Sequence, residues 1–285
     1  STSASEHFLG LLICHSKPGL GKAPAGRPET GRLVRSLIFM PVYNEIDAFP
    51  GVLAELRAAK PPCEFLLVNN GSSDGCEELV RSSGFAFIDL PENRGVGYSY
   101  MRALDWALGH GYDVFGTMAS NGKMLASEIG RILEPIRSGE AAYVTGSRFL
   151  PGGDSPNLPD FRRSAIPWVS RFAGALTGTR LSDATCGFRA FRLELMRHAE
   201  FDWHRDWLYT YGFEYYLYAL VLRHGGIAWR EVPITMRYPP KGRPYSKIPP
   251  VTGWWAMLRP WIAARLSRKG FRRDLPALLT GGSVR

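Results

Sequence analysis

The sequence predicts an α/β fold, a mostly parallel sheet flanked by helices. Two observations carry this. Short apolar runs alternate with segments of helical apolar spacing, and the links between them are short. The first apolar runs also stop at turns rich in Pro, Asn or Gly, as strands do where they hand over to a loop. Crossovers between such strands are expected to be right-handed.

Residues 1–32 are rich in Gly, Pro and Ser with little periodicity and predict a flexible arm. Leu37 to Met40 is a short buried strand that Pro41 ends. Val52, Leu53 and Leu56 give 49–60 a helical face. Glu64 to Asn69 is a second strand, stopped by Asn70-Gly71-Ser72-Ser73-Asp74-Gly75. A helix over 76–82, a strand over 85–90, a helix over 97–109 and a strand over 114–118 follow. The second half is less regular: a helix over 128–138, then a strand over 142–145 leading into Gly146-Ser147-Arg148. Pro and Gly recur through 150–160, which predicts a loop, and an apolar helix is expected over 166–178. A strand over 187–192, an aromatic helix over 211–223 and a strand over 228–236 complete the sheet. Val232-Pro233-Ile234 puts that last strand at an edge, because proline cannot donate to a central ladder.

Near the end, Trp254, Trp255, Leu258, Trp261, Ile262 and Leu266 recur at helical spacing, and basic residues follow. Two placements are open for this basic, Trp-rich helix. It lies in a membrane interface, with Trp at headgroup depth and Arg on anionic lipid, or it docks on the body of the protein. The expected organisation is an arm over 1–32, an α/β domain over 33–248, and an amphipathic basic helix and tail over 249–285.

A net charge of +9 favours acidic partners such as phosphates, nucleotides or anionic lipid. Nucleic acid is not expected, since a basic balance without a recognised motif is weak evidence for it. Cys14, Cys63, Cys76 and Cys186 are far apart and form no CxxC pair, which argues against a structural zinc or a disulfide framework. No run reaches the roughly 18 apolar residues of a membrane span. Phe8 to Cys14 lacks a basic flank and a cleavage site, so it is not read as a signal peptide. The expected location is cytoplasmic, peripheral on the membrane face.

The chemistry gathers at strand ends, where open α/β sheets bind ligands. Pro41-Val42-Tyr43-Asn44-Glu45 ends the first strand, and Val68 to Gly75 ends the second. Asn93-Arg94-Gly95-Val96-Gly97 precedes a helix, and Asp183 to Arg189 and Glu231 to Ile234 come later. Together these segments resemble the inverting glycosyltransferases of family two, which have the GT-A fold, and among them the dolichyl- or polyprenyl-phosphate mannosyltransferases. The resemblance covers roughly Ser36 to Lys247.

It implies transfer of a sugar from a nucleotide diphosphate sugar to an acceptor, a polyprenyl phosphate being the first choice. Pro41, Tyr43 and Glu45 match the family's first nucleoside-binding loop. Gly71, Ser72 and Asp74 match its second, although Asn69 and Asn70 stand where that loop has acids. An amide still offers a donor and an acceptor, but no charge. The larger departure follows the fourth strand, in Met118-Ala119-Ser120-Asn121-Gly122-Lys123-Met124. The family carries Asp-x-Asp there, aligned with Ala119 and Asn121, and Lys123 falls where a further metal ligand would be. The resemblance implies Mg2+ or Mn2+. Hard cations want carboxylate oxygens, and these are missing, so no metal cofactor is expected. Lys123 instead predicts an ammonium set against the donor diphosphate. A solvent-facing Lys123 is the plain alternative.

Further cations follow the family's phosphate-binding positions. Arg148 matches its Gly-Ser-Arg, Arg163 (with Arg162) resembles a following arginine, and Arg189 sits in the Gly-Phe-Arg motif. Arg237 with Ser246 and Lys247 resembles a late Arg…Ser-Lys element, stretched here by 239–244. Asp183 and Glu214 are the candidate acids, with Asp183 preferred. The other readings are transfer to a soluble small molecule or peptide, and an inactive relative that only binds nucleotide sugar.

Overall fold

The structure is a computed structural model and describes residues 34–240 and 252–280. The predicted arm over 1–32, and Ser246 and Lys247, lie outside the described residues. In order, the first half runs β1 (Ser36–Val42), α1 (Phe49–Ala59), β2 (Glu64–Asn70), α2 (Cys76–Ser82), β3 (Ala86–Leu90), α3 (Val96–Gly109) and β4 (Val114–Thr117). The second runs α4 (Ile129–Arg137), β5 (Tyr143–Ser147), α5 (Asp160–Thr177), β6 (Arg189–Arg192), α6 (Glu194–Arg197), α7 (Gly212–His224) and β7 (Trp229–Pro233). Then come α8 (Thr252–Leu266) and α9 (Ala277–Thr280).

The strands form one sheet in the order β3-β2-β1-β4-β6-β5-β7. β1 pairs parallel with both β2 and β4, in the registers Leu37–Glu64 and Ser36–Val114. A parallel central strand is covered on both faces and needs apolar residues at every position. β1 meets this: Leu37 and Phe39 join the core on one face, Ile38 and Met40 the core on the other, and all are fully buried. The first core is completed by α3, α7 and α8, the second by α1, α2 and α4.

The expectation of a mostly parallel sheet holds with one exception. β6 runs antiparallel to both β4 and β5. Hydropathy reports burial and not direction, so nothing in the run Gly187 to Arg192 signals the reversal. β7 pairs with β5 alone among the described strands, the edge position that Pro233 implied. The helix expected over 166–178 begins earlier, at Asp160. Pro159 stands just before it, where the missing N–H costs nothing, and the helix carries Pro167 in its interior.

One face of α8 docks on the body. Trp261, Met257 and Ala264 are buried, and the Trp261 ring lies 5.6 Å from that of Tyr218 in α7. Trp255 and Leu266 of the same helix are 59% and 76% exposed. Among the described residues no helix is long and apolar enough to cross a membrane.

Candidate active site

Strand order reverses between β1 and β4, the switch point at which open α/β sheets leave a crevice at their carboxyl ends. The loops after β1, β2 and β4 meet there. The first two are laced together. Asn44, held in the left-handed region (φ 50°), donates its N–H to Ser72 Oγ and accepts the Ser73 N–H, at 3.2 and 2.8 Å. Asp74 accepts the N–H groups of Ile46 and Cys76 at 2.8 and 3.0 Å. Burial works against the Asp74 charge, but these N–H groups outweigh it and lower its pKa. Asp74 therefore ties the Tyr43–Glu45 loop to α2. Gly71 (φ 69°) lets its backbone pass against Glu92, whose carbonyl carbon would lie 2.5 Å from an added Cβ.

Asn69 and Asn70, the amides expected at the nucleoside, lie at the end of β2. Both are buried, and each amide donates one hydrogen bond and accepts one inside the protein. Asn69 donates to Asp89 Oδ1 at 2.6 Å and accepts the Ser72 N–H at 3.1 Å. Asn70 donates to Asn93 Oδ1 at 3.0 Å and accepts the Arg94 N–H at 3.1 Å. They tie the end of β2 to β3 and to the 93–94 turn. The glycines of the 93–97 segment also serve packing. Gly97 N and Tyr98 N donate to Thr210 O and Tyr209 O at 2.7 and 3.0 Å. A Cβ at Gly97 would lie 2.0 Å from Leu208 O.

The loop after β4 is held from both sides. Ser120 Oγ donates to Pro41 O at 2.7 Å, at the end of β1. Lys123 O accepts the Arg237 N–H at 2.8 Å, and Met124 bridges Met236. The Lys123 ammonium lies 5.7 Å from the centre of the Tyr238 ring, within cation–π range. The residues here do not fit a divalent cation. Ala119 has no ligand atom, the Asn121 side-chain oxygen accepts the Lys123 N–H at 3.3 Å, and the third position is a cation. Among the described residues no group of three or more His, Cys, Asp or Glu side chains stands ready for a metal.

Arg148 and Asp183 form a buried pair. Arg148 Nε and Nη2 donate to Asp183 Oδ2 and Oδ1 at 2.6 and 2.7 Å, and the side chains are 2% and 0% exposed. Arg148 also donates to Tyr238 Oη and Thr185 Oγ1, both at 2.5 Å. Burial opposes the arginine charge, yet the Asp183 carboxylate against it raises its pKa. Glu231 accepts the N–H groups of Ser182 and Asp183 at 2.9 and 3.0 Å, which fixes the segment. Asp183 is no exposed acid for an acceptor, and Arg148 has its donors committed within the protein. The pair is the frame that sets Tyr238, and through it the surroundings of Lys123.

Arg189 turns inward. It is buried, its donors go to the main-chain carbonyls of Ala184, Cys186 and Glu214, and its guanidinium lies 4.7 Å from the Tyr218 ring. It braces the core under the site and reaches no opening. Arg163 is exposed in the first turns of α5. Arg237 is part-exposed and pairs with Glu55 of α1 at 2.6 Å. The Glu214 carboxylate lies 3.5 Å from where a Gly187 Cβ would stand, a position 3.7 Å from Met124 Cε. Burial raises its pKa, and the Arg189 charge only partly offsets that. Residue reading had missed Asp89, Ser120 and Tyr238. Asp89 is the acid that answers the Asn69 amide. Its signal was a carboxylate inside an otherwise apolar strand.

Comparison with known proteins agrees with this architecture. The family model for glycosyl transferase family 2 matches residues 37–199. An undecaprenyl-phosphate mannosyltransferase of Micrococcus luteus is 33% identical over 175 residues, 59% of this chain and 71% of that protein. A polyprenol monophosphomannose synthase of Mycolicibacterium smegmatis is 32% identical over 189 residues, 64% of this chain and 71% of that protein. Among solved structures, glucosyl-3-phosphoglycerate synthase from Mycobacterium tuberculosis, in complex with Mn2+, UDP and phosphoglyceric acid, superposes with a TM-score of 0.59. It is 18% identical and covers 86% of this chain and 81% of its own, a likeness of fold alone. The sheet with its flanking helices is thus that of the GT-A glycosyltransferases. With more than half its length matched by the family model, this chain belongs to glycosyl transferase family 2.

Proposed function

We propose that the enzyme transfers a sugar, with inversion, from a nucleotide diphosphate sugar to a polyprenyl phosphate at a membrane surface, and that Lys123 serves the donor diphosphate where relatives place a divalent cation. An oxygen of the acceptor phosphate bonds to the anomeric carbon as the bond from that carbon to the diphosphate breaks. The bonding pair leaves with the diphosphate. The acceptor is already ionised, so no base is required. What the leaving group needs is positive charge placed in advance.

The observation that carries this reading is the position of Lys123. It stands in the loop after β4 at the switch point, its main chain bonded to Arg237 and its ammonium over Tyr238. A lysine meets phosphate as a point charge, which suits a loop that offers no carboxylate. The two mannosyltransferase relatives support the acceptor class. Exposed Phe161 and Trp168 on α5, and Trp255 and Leu266 on α8, support work at a membrane. The test is donor turnover with a polyprenyl phosphate, with and without EDTA, in the parent and in Lys123→Ala. Turnover persists in EDTA and falls about 100-fold or more in the variant, the usual scale for removing one preorganised electrostatic partner. Turnover abolished by EDTA, or unchanged in Lys123→Ala, refutes the role.

One observation favours a second reading, transfer to a hydroxyl of a soluble acceptor. The buried Glu214 carboxyl beside Gly187 and Met124 has a raised pKa, which suits a general base. In that case Glu214→Gln abolishes transfer to a hydroxyl acceptor while donor binding survives.

A further inference from the structure

A second cluster of cations lies at the far end of α7. The carboxyl ends of α7 and α8 meet there around a cavity of about 430 Å³, lined in part by Arg223, His224, Arg268, Lys269, Phe271 and Arg273. Glu214 marks the active-site end of α7, so at 1.5 Å per residue the cavity is about 15 Å along the helix from the crevice.

The wall is built. The Arg223 guanidinium donates to the carbonyls of Ala264 and Ser267, covering the exposed end of α8. His224 bonds the Arg272 carbonyl at 3.0 Å, and the Ser267 hydroxyl bonds both N and O of Lys269. Gly270 O accepts the Glu200 N–H, and Phe271 bridges Ala199. With these carbonyls satisfied, Arg268, Lys269 and Arg273 face solvent, while the exposed acids Glu200 and Asp274 lie on the Arg272 side of the cluster. Asp274, the one acid between 265 and 280, is held by Arg272 at 2.6 Å. Among the described residues no ion pair engages Arg268, Lys269 or Arg273, all exposed or lining the cavity.

A second observation selects the ligand. Leu266, 76% exposed, directly precedes the cluster. It ends a stripe of α8 at helical spacing with Ile262, Arg259 and the 59% exposed Trp255. A site for a free phosphate has no use for an apolar side chain pushed into water. A site for a phosphate that arrives with acyl chains does. We infer that the cavity takes the phosphate headgroup of an anionic phospholipid, with Leu266 and Trp255 entering the bilayer interface beside it. Arg268, Lys269 and Arg273 supply the charge. The site deepens the proposed function, since it assumes a membrane workplace, and it lies apart from the reacting groups.

The experiment is cosedimentation of the full chain with vesicles of phosphatidylcholine, alone or with phosphatidylglycerol. The parent partitions to the anionic vesicles. Neutralising the three cations together (R268Q, K269Q, R273Q) lowers partitioning on the order of 100-fold, at about fivefold for each cation near an anionic surface. Leu266→Ser weakens binding to anionic vesicles without abolishing their preference over neutral ones. Equal sedimentation of the triple variant and the parent overturns the site. So does displacement by low concentrations of soluble glycerol phosphate, which marks a free-phosphate site, or RNA binding lost in the triple variant while vesicles are ignored. Transfer to a polyprenyl phosphate in detergent micelles tests the acceptor separately. Vesicle binding that needs the three cations, without micellar transfer, supports this site and counts against the acceptor alone.

Discussion

Replacing Asp183 by asparagine takes one charge from a pair that water does not reach. The side chains of Arg148 and Asp183 are 2% and 0% exposed and share two bonds of 2.6 and 2.7 Å. The asparagine keeps the shape and leaves the guanidinium buried without a counter-charge, which costs about 3–5 kcal/mol. At about 2–4 °C per kcal/mol for large domains, the unfolding midpoint falls by roughly 6–20 °C. Replacing both partners by apolar residues, Arg148→Met with Asp183→Leu, recovers most of that loss, because two unpaired desolvation penalties vanish together. The assay is thermal unfolding followed by near-ultraviolet circular dichroism, with donor turnover measured well below each midpoint. There Asp183→Asn keeps measurable turnover, since no acid–base step runs through it. A variant as stable as the parent but without turnover would refute the framing role and return Asp183 to the chemistry.

Two further outcomes follow from burial. Trp261→Ala empties a site that is 1% exposed between α8 and α7, and lowers stability to urea by about 3–5 kcal/mol; an unchanged urea midpoint would mean that α8 does not dock. Glu214 has a pKa raised above its ordinary 4.5 by burial. Above that value the folded chain holds a proton that the unfolded chain has released, so stability falls as pH rises through the window between the two. Glu214→Gln lacks this dependence. The parent's midpoint should therefore drop relative to the variant as pH rises above 4.5, and a constant difference would sink the argument.

The parts of the fold legible in the sequence are those whose signal is local. β1 reads clearly because a strand covered on both faces must be apolar at every step, and β7 because Pro233 excludes a central ladder. The reversal of β6 is illegible because strand direction is set by where the preceding α5 delivers the chain. The site residues divide the same way. Turn chemistry marked the loops at Tyr43, Ser72 and Asp74, which do clasp one another. Long-range pairings were invisible. Arg148 meets Asp183, 35 positions along the chain, only once the intervening stretch is folded, and Arg189 turns inward because three carbonyls of the 184–214 stretch converge on it.

The acids that this crevice lacks are a matter of pairing more than of loss. An aspartate at position 69 would set its carboxylate 2.6 Å from Asp89, with Arg81 alone to balance two charges. Asparagine donates there instead, so the amide and the acid of the neighbouring strand make one unit. The same logic applies after β4. The loop from Met118 to Met124 is bonded to β1 through Ser120 and to the 236–238 segment through Lys123 O. What has changed is the sign at its tip. A loop that had merely lost its ligands would have no reason to keep its lysine within 5.7 Å of an aromatic ring that a buried arginine holds in place. The arrangement from Asp183 through Arg148 and Tyr238 to Lys123 therefore argues for a positioned cation, and for a diphosphate as the group that cation meets.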